Sequence, residues 1–162
     1  MSVPSELNGR IHHAVQAHMQ SVVRVAYAYL RHIQDAEDIA QDTFLAYLRS
    51  GKRFGSSQHE KAWLLRVCIN KSKNLLKSGW HKNRNPLPEG LPALSQEEDS
   101  VLSAVMGLEE KYRLPIHLYY YEGYAIKDIA RALSLPAATV GTRLARAKAR
   151  LKQQLGGAFD EE

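Results

Sequence analysis

Near the C-terminal end, the side chains that could do chemistry are Thr139, Thr142, Arg143, Arg146, Lys148, Arg150 and Lys152, and residues 143–152 carry five cations and no acid. Guanidinium and ammonium groups hold phosphate. Arginine can also grip guanine through two hydrogen bonds, and threonine can meet the methyl group of thymine. Such a set binds a polyanion; it does not transfer groups or cleave bonds. No glycine-rich phosphate loop, nucleophile elbow or carboxylate pair tied to a basic cleft accompanies it, so no enzyme is expected. Neither a metal nor another cofactor is expected. His12, His13 and His18 lack i, i+4 ligand spacing and a joining carboxylate, His59, His81 and His117 are scattered, and Cys68 is alone.

The elements that must position these cations can be read from apolar spacing. Ile126, Ile129, Ala130 and Leu133 fall at i, i+3, i+4 and i+7, one face of a short helix. Leu135 and Pro136 make a turn, and Val140, Leu144, Ala147 and Leu151 form the inner face of a second helix. Small Ala130 allows the two to cross closely. This is the pattern of a helix-turn-helix, whose second helix enters the major groove by its N-terminal half. Thr139, Thr142, Arg143 and Arg146 lie there, off the apolar stripe. Lys148, Arg150 and Lys152 lie further along, better placed for phosphates or solvent. Two residues are unusual: Ser134 stands in the turn where glycine is common, so left-handed strain is expected. Gly141 lies mid-helix, at a cost of about 1 kcal/mol relative to alanine.

A second basic block covers residues 49–84, with ten Lys or Arg against one acid, Glu60. Between the blocks, residues 95–110 hold Glu97, Glu98, Asp99, Glu109 and Glu110 and no base. Two basic blocks parted by an acidic stretch suit two contacts with one long polyanion.

The remainder reads as helix. Ile11, Val15, Met19, Val22, Ala26 and Leu30 keep helical spacing, with room for a break. Asp35 is expected to cap a helix that carries Ile39, Ala40, Thr43, Phe44, Tyr47 and Leu48 inward and stops at Gly51. After a loop over 51–58, a helix over about 60–78 is expected to bury Ala62, Leu65, Ile69 or Cys68, Ser72 and Leu76. Trp63 is read as core, and Phe54 as equally suited to core or base stacking. Residues 79–94 hold prolines at 86, 88 and 92 and no period, so they are read as a flexible linker. A second unit opens with Ser95 and Glu98 in capping-box spacing, then Val101, Leu102, Val105 and Leu108. A further helix follows over 109–121, with Pro115 expected to kink it or shift its start and Gly123 to end it. Tyr119, Tyr120, Tyr121 and Tyr124 are read as packing. The class is all-α: two small helical domains, 1–78 and 95–162, joined by the linker 79–94.

With 162 residues, 44% hydrophobic content and a net charge of +5, the chain can build cores. It has no apolar run near the ~20 residues a bilayer span requires. The lone cysteine suits a reducing compartment. A cytoplasmic location without membrane insertion is expected.

DAEDIAQDTFLAYL (35–48), FGSSQHEKAWLLRVCINKSKN (54–74), GLEEKYRLPIHLYYYEGYAIKDIARAL (107–133) and TVGTRLARAKARL (139–151), in that order and spacing, resemble bacterial sigma factors. The similarity is to the extracytoplasmic-function group of the sigma-70 family. The resemblance implies a promoter-specificity subunit with a region-two and a region-four domain. It implies core RNA polymerase as partner, through the beta-prime clamp helices and the beta flap, together with promoter DNA and an anti-sigma factor that could hold the chain at the membrane. It assigns Asp38, Gln41 and Asp42 to core docking, and Arg66, Asn70, Lys73 and Asn74 to the minus-ten element. The loop over 51–59 matches the segment that pockets a flipped base. Thr139, Thr142, Arg143 and Arg146, with Lys127 and Arg131 as phosphate contacts, are assigned to the minus-thirty-five element. The chain departs from the pattern at Gly141, where a basic residue is common, and at Ala125, where a capping Ser or Thr is usual. The alternative is a stand-alone helix-turn-helix regulator whose first domain dimerises; the acidic end, AFDEE, reads as a tail.

Overall fold

A computed structural model describes residues 5–78 and 96–156. They form seven helices and, among the described residues, no strand. The chain divides into two compact units, Met1–Asn85 and Pro86–Glu162. That division falls within residues 79–94. The linker expectation, the Ser95–Glu98 capping box and the AFDEE tail lie outside the residues whose side chains are described.

The first unit packs α1 (Ser5–Leu30), α2 (Ile33–Ser50) and α3 (Ser57–Lys77) against one another. α1 runs without a break to Leu30. Ala14, Val22, Val25 and Ala26 make its buried side, while Ile11, Val15 and Met19 are half-buried. Arg31 then turns the chain with φ +57°, donating its N–H to Tyr27 O at 2.8 Å.

The second helix corrects the expectation at Asp35. α2 begins at Ile33, and its N-cap is His32, whose ring accepts from the Asp35 N–H at 3.2 Å. Imidazole nitrogen fills the place of the usual cap oxygen, so a search for Ser, Thr, Asp or Asn passes over it. Asp35 lies within the first turn, only 2% exposed. Gly51 ends the helix in the left-handed conformation, φ +63°, as its spacing predicted.

α3 starts three residues before the expected Glu60. Ser56 caps it by accepting from the His59 N–H at 3.1 Å, so the loop shortens to 51–56. Its buried side is Leu64, Leu65, Cys68, Ile69 and Ser72. Ala62, expected inside, is exposed, and Leu76 is half-buried. At about 3.6 residues per turn, Ala62 falls at the edge of the buried side, in line with exposed Arg66 one turn on.

The second unit comprises α4 (Gln96–Met106), α5 (Glu110–Tyr120), α6 (Ile126–Leu133) and α7 (Ala137–Leu155). Leu102, Val105, Leu108, Leu114, Ile116 and Leu118 meet Ile129, Leu133, Val140, Leu144 and Leu151 in its core. Pro115 lies buried inside α5 without delaying its start or ending it. Arg113 is also buried and donates to Leu108 O at 2.9 Å, tying α5 to the end of the preceding segment. Gly123 has φ +68°, beyond the helix end at Tyr120.

Candidate nucleic-acid interface

In the first unit, α3 presents one outward side. Arg66, Asn70 and Asn74 are exposed and Lys73 is half-buried, all within a narrow sector of the helix. Exposed His59, Ala62 and Lys77 extend the same stripe by helical spacing. No acid interrupts it. The one acid of the basic block, Glu60, turns inward: its Oε1 accepts from His18 Nε2 at 3.1 Å and its Oε2 from Tyr47 Oη at 2.8 Å. Burial holds the His18 pKa below 6.5, with Glu60 opposing it. Burial, then the bond to Glu60, pushes the Tyr47 phenol up.

Beside this stripe lies an aromatic cluster. Tyr47 from α2 stacks on Phe54 from the loop at 6.1 Å and meets Trp63 of α3 edge-on, while Phe54 and Trp63 are 5.9 Å apart. Lys52 Nζ is 5.8 Å from the Trp63 ring, within cation–π range. Phe54 and Trp63 are half-buried, so both help to pack the loop and both keep a face at the surface.

On α2, Asp38, Gln41 and Asp42 are exposed on one side. Leu45, one turn beyond Gln41 and Asp42, is 45% exposed and adds an apolar end to that acidic strip. Sequence reasoning missed Leu45. Its signal was its absence from the apolar stripe.

In the second unit, α6 and α7 form the expected helix-turn-helix. Ile129, Ala130 and Leu133 face Val140, Leu144, Ala147 and Leu151. Ile126, read as part of the inner face, is 41% exposed because it begins α6, outside the crossing. Ser134 caps α6 at φ +56°, ψ +47°, and Leu135 N–H reaches Ala130 O at 2.9 Å. That is the left-handed helix end normally given to glycine. Ala125 supplies no side-chain cap to α6.

Thr142 and Arg146 are exposed and Thr139 and Arg143 half-exposed, sharing one side of α7; Lys127 and Arg131 are exposed on α6. The two groups of cations differ in their freedom. Burial raises the Tyr112 phenol, but Arg146, Lys111 and Arg150 around it draw it below its usual pKa. Arg150 stacks its guanidinium over Tyr112 at 4.6 Å and approaches Glu109 at 3.4 Å. Lys148 lies over the Tyr119 ring at 4.4 Å. Lys148 and Arg150, expected to meet phosphate or solvent, are thus held on α5. Tyr112 was not singled out from the sequence, and Tyr119 packs as expected. Tyr124 rises to about 12 through burial and then the nearby Glu122 and Asp128 charges. Gly141 lies on the opposite side of α7 from Arg143 and Arg146, and a Cβ built there meets nothing within 4 Å.

His12 and His13 are exposed, whereas His18 is engaged by Glu60. Among the described residues, no group of three or more His, Cys, Asp or Glu side chains could hold a metal, and no helix is long and apolar enough to cross a membrane.

Two family models match these same units: sigma-70 region 2 over residues 14–82 and sigma-70 region 4 over residues 98–151. The chain is 30% identical over 144 residues to the extracytoplasmic-function (ECF) RNA polymerase sigma factor SigM of Mycobacterium tuberculosis, covering 86% of this chain and 74% of that one. The chain belongs to the ECF group of the sigma-70 family. SigW of Bacillus subtilis, another ECF sigma factor, is 27% identical over 161 residues, covering 87% of this chain and 86% of that one. Among solved structures, CnrH, in complex with the cytosolic domain of CnrY, gives a TM-score of 0.65 at 26% identity, covering 90% of this chain and 86% of that one. RpoE of Bartonella quintana, in complex with the anti-sigma factor NepR, shares the fold, with a TM-score of 0.70 at 21% identity over 88% of this chain and 94% of that one. As an ECF sigma factor, the chain directs RNA polymerase to promoters for the initiation of transcription.

Proposed function

We propose that this sigma factor divides promoter reading between its two units, with the roles residing in the side chains described above. In the first unit, Arg66, Lys73 and exposed Asn70 and Asn74 contact the minus-ten element, the cations on phosphate and the amides on base edges. Asp38, Gln41 and Asp42, extended by Leu45, dock on the beta-prime clamp helices; an acidic strip with an apolar end fits a basic partner with an apolar seat. In the second unit, Thr139, Thr142 and Arg143 read the minus-thirty-five element. Lys127 and Arg131 take phosphates. Exposed Arg146, on the same side of α7 and near the Tyr112 phenol, joins in that reading. The beta flap of core polymerase and an anti-sigma factor are the remaining partners.

The domains run over 1–78 and 95–162, with 79–94 as the tether. Two modest contacts on one duplex gain affinity through the effective concentration the tether sets. The protein acts by binding and not by catalysis, in the cytoplasm, with an anti-sigma partner able to hold it at the membrane.

The observation that carries this reading is the acid-free outward stripe of α3, left clear because Glu60 turns inward. Transcription by core polymerase with and without the chain, on promoter templates, tests it. Promoter-dependent transcripts should appear only with the chain. Arg66→Ala and Arg143→Ala should each lower them about ten-fold, as expected for a contact of 1–3 kcal/mol. Tight operator binding without core, and no transcripts from a confirmed complex with core, would support the stand-alone regulator instead.

A further inference from the structure

Glu60 is the only acid among residues 49–84, and it stands at the start of α3, between the loop over 51–56 and Arg66. Both of its oxygens are occupied by other helices. His18 Nε2 on α1 donates to Oε1 at 3.1 Å, and Tyr47 Oη near the end of α2 donates to Oε2 at 2.8 Å. Ser57 Oγ, in the first turn of α3, is 3.4 Å from the same His18 nitrogen. One carboxylate therefore joins three helices where the loop leaves α2 and enters α3.

The loop is fastened at further points. Ser50 Oγ accepts from the Lys52 N–H at 3.2 Å, and Arg10 on α1 donates to the Lys52 carbonyl. The Tyr47 ring, aimed by its hydroxyl at Glu60, stacks on Phe54 and meets Trp63. The position of Glu60 thus sets that of Tyr47, and Tyr47 sets the two rings that keep a face at the surface. Packing alone does not demand such an arrangement. A buried polar network can often be replaced by apolar side chains at little cost in stability, and its distinctive contribution is a defined geometry.

We propose that Glu60 is a positioning residue for base capture. Through Tyr47 and His18 it fixes the loop over 51–56 and the Phe54–Trp63 faces before DNA arrives, in the shape that receives an unstacked base of the minus-ten strand. Flipping a base out of the stack is costly, so a pocket already ordered captures it with higher affinity than one that must order on binding. The same inward turn removes a negative charge from the side presented to phosphates. This proposal rests on the minus-ten reading above.

The test uses the full chain assembled with core polymerase. The probe is the single-stranded non-template minus-ten segment of a promoter that the wild-type assembly transcribes, with one base at a time replaced by 2-aminopurine. Glu60→Ala should weaken probe binding about ten-fold and abolish the position-specific 2-aminopurine change, with affinity for core and helix content retained. Glu60→Gln should restore most of both, since its amide oxygen still accepts from Tyr47. Tyr47→Phe, which keeps the ring and loses one hydrogen bond, should lie between wild type and Glu60→Ala, and it carries the test if Glu60→Ala does not fold. Wild-type capture by Glu60→Ala or, failing that variant, by Tyr47→Phe would overturn the proposal alone, as would equal loss in Glu60→Gln and Glu60→Ala. No capture by the unmodified chain would overturn the minus-ten reading, and the proposal with it.

Discussion

Gly141→Ala separates the stability of α7 from its reading of DNA. Gly141 lies inside the helix, its φ is not in the left-handed region, and a Cβ placed on it meets nothing within 4 Å. The substitution therefore gains the full difference in helix propensity, about 1 kcal/mol, without a clash to offset it. For a unit of this size, that corresponds to a rise in midpoint of about 4–8 °C. Neither tryptophan, Trp63 or Trp80, lies in the second unit, whereas far-ultraviolet circular dichroism follows helices in both. The gain should appear in the dichroism melt and leave the tryptophan fluorescence transition unchanged. Gly141 is on the opposite side of α7 from Arg143 and Arg146, so transcription from a promoter dependent on the minus-thirty-five element should stay within about two-fold of wild type. A stability gain with transcription lost ten-fold would show that DNA backbone passes over Gly141 and that the assignment of the reading side is wrong. No stability gain would refute the geometry of α7 itself.

Ser134→Gly should stabilise the second unit by about 0.5–1 kcal/mol, because a left-handed conformation costs an ordinary residue more than the added freedom of an unfolded glycine; the dichroism melt measures it, and a lower midpoint would count against the left-handed cap. The raised phenol of Tyr124, at about 12, makes a pH-dependent contribution. The fold favours its neutral form, so that stability is complete below pH 10, the unfolded value, and is lost as pH rises from 10 through about 12. Tyr124→Phe should flatten that alkaline loss in denaturant unfolding series; an unchanged slope would place the phenol nearer water than the structure does.

The helix-turn-helix was legible in the sequence because its information is local. Ile129, Ala130 and Leu133, then Val140, Leu144, Ala147 and Leu151, fall into place by spacing alone, and Ser134 announced its strain by occupying a glycine's position. The beginning of α2 was not legible, since a histidine cap obeys the same geometry as a serine cap with a different atom. Ala62 was misplaced for another reason. Alanine is apolar enough to join a core stripe and small enough to lie outside one, so composition could not decide its side.

The candidate site was divided along the same line. The residue types of the α3 stripe could be read directly, but the reason the stripe is clear of negative charge could not. His18 and Glu60 are 42 residues apart, and nothing in either neighbourhood pairs them. A charge count treats Glu60 as one acid subtracted from ten bases. In the fold, that acid is spent inward on a histidine and a phenol, so the outward side presents its cations and amides undiluted. Arg150 shows the converse in the second unit. The count includes it in full, while Tyr112 and Glu109 already engage it. Local charge at a nucleic-acid surface is therefore decided by which ionic groups the tertiary structure engages, and in both units a tyrosine is among the partners.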